Sequence, residues 1–384
     1  MKILIVSANY PPSIGGPATT VPIIANELVK LGNTVDVLTQ GVHKYKDKKE
    51  SYNLIRVGKF SNERKNILQI IQIIKCLSQA IKELNKKNRY DLIHCHDLNI
   101  SSLAAIISGV KNIKIAKFTG DLALEYYSKV KKDKTANFTT EEFYKKKTLL
   151  KNILLYMQKF ISHKMNLILT PSNFIKNELI TMTGIEEKKV LIFHNGASKN
   201  KFYNLKRNKN KLFCALKLEP KKNVKDAILS LKFLPKRYKL YIAGSGSEEK
   251  NLKKLSESEN LKNRVKFLGL LPHKDVIHQM KTSFVFILPS VYEPASVSIY
   301  DAMSTGTPIV ATKVGGTPEI IKNKKEGFLI KPFDAGEIAK YILKLNDKKL
   351  YKQIQSNQLK KIKEFYWNNL VKKELIPLYK KLIN

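Results

Sequence analysis

Residues 284–321 read FVFILPSVYEPASVSIYDAMSTGTPIVATKVGGTPEII, and the reading of this stretch decides the fold. Phe284 to Leu288 is an apolar run closed by Pro289, too short to cross a membrane. Such a run predicts a strand buried on both faces of a parallel sheet. The loop from Pro289 to Pro294 carries an acid, Glu293. From Ala295, the apolar positions Val297, Ile299, Tyr300 and Met303 predict a helix that Gly306 stops. Pro308 to Thr312 predicts a second buried strand, followed by Gly315-Gly316 and a further acid, Glu319. Strand, helix and strand make a βαβ unit, and ligands of open α/β sheets sit at the carboxyl ends of such strands.

Glu293 lies in the loop and Asp301 eight positions on, about two helical turns deeper. Amides at the helix start, around Ala295, Ser296 and Val297, face outward unpaired and suit an anion. Acids that accept from hydroxyls, beside amides that hold phosphate, fit a sugar nucleotide. A helix start decorated with acids for its own stability fits the same spacing equally well.

Glu293, seven residues and then Asp301, with Ala302-Met303, Gly306-x-Pro308-Ile309-Val310 and Val314-Gly315-Gly316-x-x-Glu319-Ile320-Ile321, resembles the donor-binding signature of family 4 retaining glycosyltransferases. That resemblance covers almost the whole chain and implies an α/β fold of the GT-B type, two Rossmann-like doubly wound domains facing a cleft. It implies that Glu293 positions sugar hydroxyls, that the amides of Ala295, Ser296 and Val297 hold phosphate, and that Asp301 binds ribose. The family usually has Glu at the position of Asp301.

A chain of 384 residues can form two domains with sizeable cores. The N-terminal MKILIVSANY reads as a first strand and not as a signal peptide. Cys76, Cys95 and Cys214 lie far apart, without metal-ligand spacing, and fit reduced thiols. Cys95 sits between His94 and His96, but adjacent strand residues face opposite ways, which disfavours a metal site there. The formal charge of +38 is carried mostly by Lys and implies attraction to polyanions, anionic lipid surfaces above all. Without Arg clusters or a recognisable motif, specific nucleic-acid binding is not expected.

The chain opens β-loop-α-β: Lys2 to Ala8, a loop with Gly15-Gly16, a helix capped at Thr19 or Thr20 and ended by Gly32, then Thr34 to Thr39. Glycines in that loop let backbone N–H groups approach a phosphate, or simply make a turn. The resemblance assigns Gly15 and Gly16 to the donor diphosphate. A strand at Ile113–Phe118 ends in Thr119-Gly120-Asp121; many relatives of the resembled family have a His there, and Asp121 or Thr119 is the candidate in its place, Asp121 being carried as the site residue. Phe143 to Met165 is a basic amphipathic helix that packs on its apolar side or lies on an anionic membrane.

Residues 1–196 are expected to form the first domain, 197–210 a linker, 211–364 the nucleotide-sugar domain and 365–384 a helix crossing back to the first. After the strand Lys211–Leu216, a Lys-rich loop can neutralise a diphosphate. The family has Arg at Lys217 and Lys at Lys222, so both carry over as candidate catalytic cations. Gly244, in a Gly-Ser-Gly turn, and Gly269, at the end of the strand from Val265, fall where relatives meet the donor.

The expected function is transfer of a sugar from a nucleotide diphosphate to a hydroxyl of a glycan or lipid-linked acceptor, and the resemblance implies that the transfer proceeds with retention. Glu293, Lys222, Lys217 and Asp121 form the candidate catalytic set. A UDP-sugar is favoured over a GDP-sugar as co-substrate with no other cofactor, and the resemblance implies that no catalytic metal is needed. A cytoplasmic protein resting on the inner membrane face is expected. The rival reading is a non-catalytic GT-B scaffold that binds polyanions.

Overall fold

The computed structural model describes residues 1–13, 16–42, 47, 49–60, 67–120, 149–199 and 206–384. Two compact units divide the chain. One takes the described residues up to His194 together with Trp367–Asn384, and the other takes Asn195–Tyr366.

The first unit runs β1 (Lys2–Val6), α1 (Gly16–Lys30), β2 (Thr34–Val42), β3 (Asn53–Phe60), α2 (Ile67–Asn88), β4 (Leu92–Cys95), α3 (Ile100–Ile107), β5 (Ile113–Lys117), α4 (Leu149–Lys164), β6 (Leu167–Thr170), α5 (Asn173–Thr183) and β7 (Val190–Ile192). Its sheet is ordered β3-β2-β1-β4-β5-β6-β7, and the pairings are parallel. Leu4, Val6, Ile93 and Ile168 from the sheet pack with Ile73, Leu77, Ala104, Ile161 and Ile175 from α2 to α5. One face of the sheet is thus covered by those four helices, because parallel crossovers return over the sheet with one hand.

The second unit runs β8 (Asn208–Ala215), α6 (Val224–Ser230), β9 (Lys239–Ala243), α7 (Glu249–Ser258), β10 (Val265–Gly269), α8 (His273–Thr282), β11 (Ser283–Leu288), α9 (Val297–Ser304), β12 (Ile309–Thr312) and β13 (Phe328–Ile330), with α10 (Ala335–Lys344) and α11 (Lys348–Lys361) after it. Its sheet is ordered β10-β9-β8-β11-β12-β13, again with parallel pairings. Leu212, Cys214, Val285, Ile287 and Val310 belong to one core, while Phe213, Phe286, Leu288, Ile309 and Ala311 belong to another. The alternation means that both faces of the sheet are covered, which is why these strands read as unbroken apolar runs.

Several expectations are corrected. Helix α1 begins at Gly16, so Thr19 and Thr20 lie inside it and do not cap it. Pro17 fits this early start because a first-turn N–H has no intrahelical partner to lose. Strand β3 was not expected: it is a sheet edge, half exposed, with Arg56 and Lys59 breaking its apolar pattern. Nor was β13, a strand of only three buried residues. Strand β8 begins at Asn208, inside the stretch read as linker. Residues 143–148 of the basic amphipathic helix lie outside the described residues.

Candidate active site

The chain leaves β8 towards β9 on one side, and β11 later pairs on the other side of β8. Strand order reverses there, which opens a crevice at the carboxyl ends of β8 and β11. The loop after β8 carries Lys217, which is exposed, and the short turn Pro220–Lys222. The loop after β11 carries Glu293. Lys222 Nζ donates to Glu293 Oε2 at 2.7 Å, and Ser290 Oγ donates to the same oxygen at 3.0 Å. Glu293 is 4% exposed, so its charge is held by these partners and not by water. The Val291 N–H donates to the Lys221 carbonyl at 2.9 Å and ties the two loops together.

Backbone fixes the carboxylate from behind. The Gly316 N–H donates to the Glu293 carbonyl at 3.0 Å. Gly315 has φ +54°, and a Cβ there would meet the Glu293 carbonyl oxygen at 2.1 Å. Only glycine allows the loop after β12 to approach so closely. Gly244 does similar work at the end of β9: with φ +134°, its Cβ would stand 1.9 Å from the Leu216 carbonyl oxygen. The Gly244 N–H donates to the Gly269 carbonyl at 2.8 Å, so these two candidate positions meet.

Helix α9 starts at Val297 and not at Ala295, with Ser296 as its N-cap residue. The Asn195 side-chain amide donates to the Ala295 carbonyl at 3.0 Å and helps to keep that residue in the loop. Ser298 Oγ donates to the Ala215 carbonyl at 3.0 Å, anchoring the helix start at the end of β8. Asp301, one turn further along α9, is buried and hydrogen-bonded to His273: the imidazole Nε2 lies 2.9 Å from its Oδ2. That hydrogen bond raises the His273 pKa above its ordinary 6.5 despite partial burial.

The structure therefore joins Glu293 with Lys222, places Lys217 in the same loop, and gives Asp301 a partner of its own. Gly16 opens α1 in the first unit, with open space where a Cβ would stand. Gly15 and Asp121 lie outside the described residues. His273, Ser290 and Asn195 were missed. His273 is 28 positions from Asp301, and only its place just after Pro272, at a helix start, could have flagged it.

In the first unit, His94 Nδ1 and the Tyr379 hydroxyl are 2.5 Å apart, and the His94 and His96 ring centroids lie 4.7 Å apart. Cys95 points into the opposite core, as strand alternation requires. Among the described residues no cluster of His, Cys, Asp or Glu is arranged to hold a metal ion, and no helix is long and apolar enough to cross a membrane.

Two family models match this chain: Glycosyltransferase Family 4 over residues 14–200, and Glycosyl transferases group 1 over residues 197–361. An uncharacterized glycosyltransferase of Methanocaldococcus jannaschii is 28% identical, spanning 99% of this chain and 98% of its own length. A galactosyltransferase of Escherichia coli, named for UDP-Gal and α-D-GlcNAc-diphosphoundecaprenol, is 26% identical over 79% of this chain and 78% of its own. The sucrose-phosphate synthase structure from Thermosynechococcus elongatus superposes with a TM-score of 0.83 at 19% identity, covering 99% of this chain and 98% of that one. With two parallel Rossmann-like sheets and both matched models, the chain belongs to the glycosyltransferases of the GT-B type.

Proposed function

We propose that this protein transfers a sugar, with retention of configuration, from a nucleotide diphosphate to a hydroxyl of a glycan or lipid-linked acceptor. The observation that carries the reading is the Lys222–Glu293–Ser290 constellation at the switch point between β8 and β11. Lys222, helped by the exposed Lys217, stabilises negative charge on the departing diphosphate. Glu293 orients the sugar hydroxyls, and the free amides at the start of α9 hold phosphate. Without donor, Lys222 and Glu293 neutralise one another, which keeps both in place before binding. Asp301 binds the ribose hydroxyls, with His273 setting the direction of its carboxylate.

A UDP-sugar is the favoured donor. The relative named for UDP-Gal and an undecaprenol-linked acceptor supports both halves of the reading. The +38 charge supports action at the anionic inner face of a membrane, where acceptors of that kind are presented. The reading is tested by nucleotide release and product formation over a panel of UDP- and GDP-sugars with lipid-linked acceptors. Glu293→Ala is expected to lower turnover by about 10²–10³-fold or more while the protein stays folded. Full turnover by that variant would discard the assignment.

A further inference from the structure

Among the exposed apolar side chains of the first unit, one group lies along a single helix. Along α4, Leu149 is 79% and Tyr156 72% exposed, and Ile153, Met157 and Phe160 are exposed with them. At 100° per residue these five occupy an arc of about 100° on one side of the helix. The opposite side carries Gln158, Ile161 and Ser162, all buried, with Ile161 in the core beneath. The helix is thus fixed by its buried side, with Ile161 in the core, and presents a separate apolar face to the outside. A packed surface helix needs only one such face; the outer one is in excess.

The charge on α4 itself has a single sign. Residues 149–164 contain no Asp or Glu. Lys159 and His163 are exposed along one edge of the apolar arc, and Lys164, exposed beyond its last residue, has its ammonium 6.0 Å from the centroid of the Phe160 ring. The first turn of α2 adds exposed Ile67 and Leu68. Helix α3 touches both α2 and α4. All three helices lead from strand carboxyl ends back to strand starts, so the first turns of α2 and α4 lie at the same end of the unit.

We infer that the outer face of α4, with the first turn of α2, is the surface by which this protein docks on an anionic lipid bilayer. An exposed row of Leu, Ile, Tyr, Met and Phe flanked by Lys matches a plane whose headgroups are negative and whose interior is apolar. Tyr156 and Lys164 can keep their polar ends at headgroup level while their stems lie in the apolar layer. A second copy of the chain does not complement this face, since it would bring the same acid-free cationic surface in a molecule of charge +38. The purpose of docking rests on the proposed lipid-linked acceptor; the surface itself does not.

The test is co-sedimentation of the full chain with vesicles of phosphatidylcholine alone and of equimolar phosphatidylcholine and phosphatidylglycerol. The wild type is expected to partition onto the phosphatidylglycerol vesicles. I153S/Y156S/F160S is expected to lower that partition coefficient about tenfold or more, with an unchanged melting temperature because all three side chains are exposed. Substitution K159E/K164E should weaken it most at low salt. Undiminished partitioning of the triple variant, or no preference of the wild type for the anionic vesicles, would overturn the inference. So would a dimer in lipid-free solution that the triple variant turns into a monomer, because the face would then belong to a second copy. Vesicle binding without any donor-dependent stabilisation would overturn the transferase reading and leave this one standing.

Discussion

His273 and Asp301 show how a single contact ties stability to pH. The hydrogen bond to Asp301 raises the His273 pKa, so the folded protein holds that proton more tightly than the unfolded chain. The pair's contribution is therefore fully present below about 6.5, the ordinary value for His, and is lost as pH rises through the raised value. The difference in melting temperature between wild type and His273→Ala should be largest in mildly acidic buffer and shrink towards alkaline pH. A difference that grows with pH would contradict the assigned pair. Lys117 works in the opposite sense. Burial lowers its pKa to about 7, and its ammonium lies 5.3 Å and 5.7 Å from the ring centroids of Phe193 and Trp367, which offset only part of the desolvation. Protons then favour the unfolded chain between about pH 7 and 10.5, so stability rises with pH across that window. Lys117→Met should raise the melting temperature at pH 6, and its advantage should fade as the buffer becomes alkaline.

At the scale of elements, the site depends on backbone that cannot carry a side chain. Gly315→Ala would place a Cβ 2.1 Å from the Glu293 carbonyl in a left-handed conformation. The strain is expected to cost about 1–3 kcal/mol, and the shift of Glu293 to reduce turnover by about 10²-fold. A crystal structure of the variant, with kinetics, would measure both; unchanged turnover would show that Glu293 does not need this support. The βαβ unit from β11 to β12 was legible because its strands are buried on both faces and its acids have a fixed local spacing. Strands β3 and β13 were not, one being a half-exposed edge and the other three residues long. The Lys222–Glu293 bond spans 71 positions and the His273–Asp301 bond 28. Sequence could nominate Glu293, Lys222 and Asp301 singly from strand-end position and family resemblance. Which of them touch, and that His273 joins them, follows from strand order and helix placement, which no local pattern encodes.

At the scale of the molecule, one architecture serves twice: an all-parallel sheet, covered by helices, with strand order reversing beside its first strand, β1 in one unit and β8 in the other. That reversal puts loops, not packed side chains, at the carboxyl ends of adjacent strands, and leaves them free to specialise. In the second unit they carry a buried carboxylate already paired with a lysine. We propose that such a site receives a ligand with both hydroxyls and a diphosphate; binding to the folded state alone would then stabilise it. The most direct test is the melting temperature of wild type and Lys222→Ala as UDP or UDP-sugars are added. At about 100 times the dissociation constant, bound ligand contributes about 2.7 kcal/mol, so a clear upward shift is predicted for the wild type and little or none for Lys222→Ala. No shift of the wild type with any nucleotide or nucleotide sugar, or an equal shift in both proteins, would contradict the assignment of this crevice to the donor.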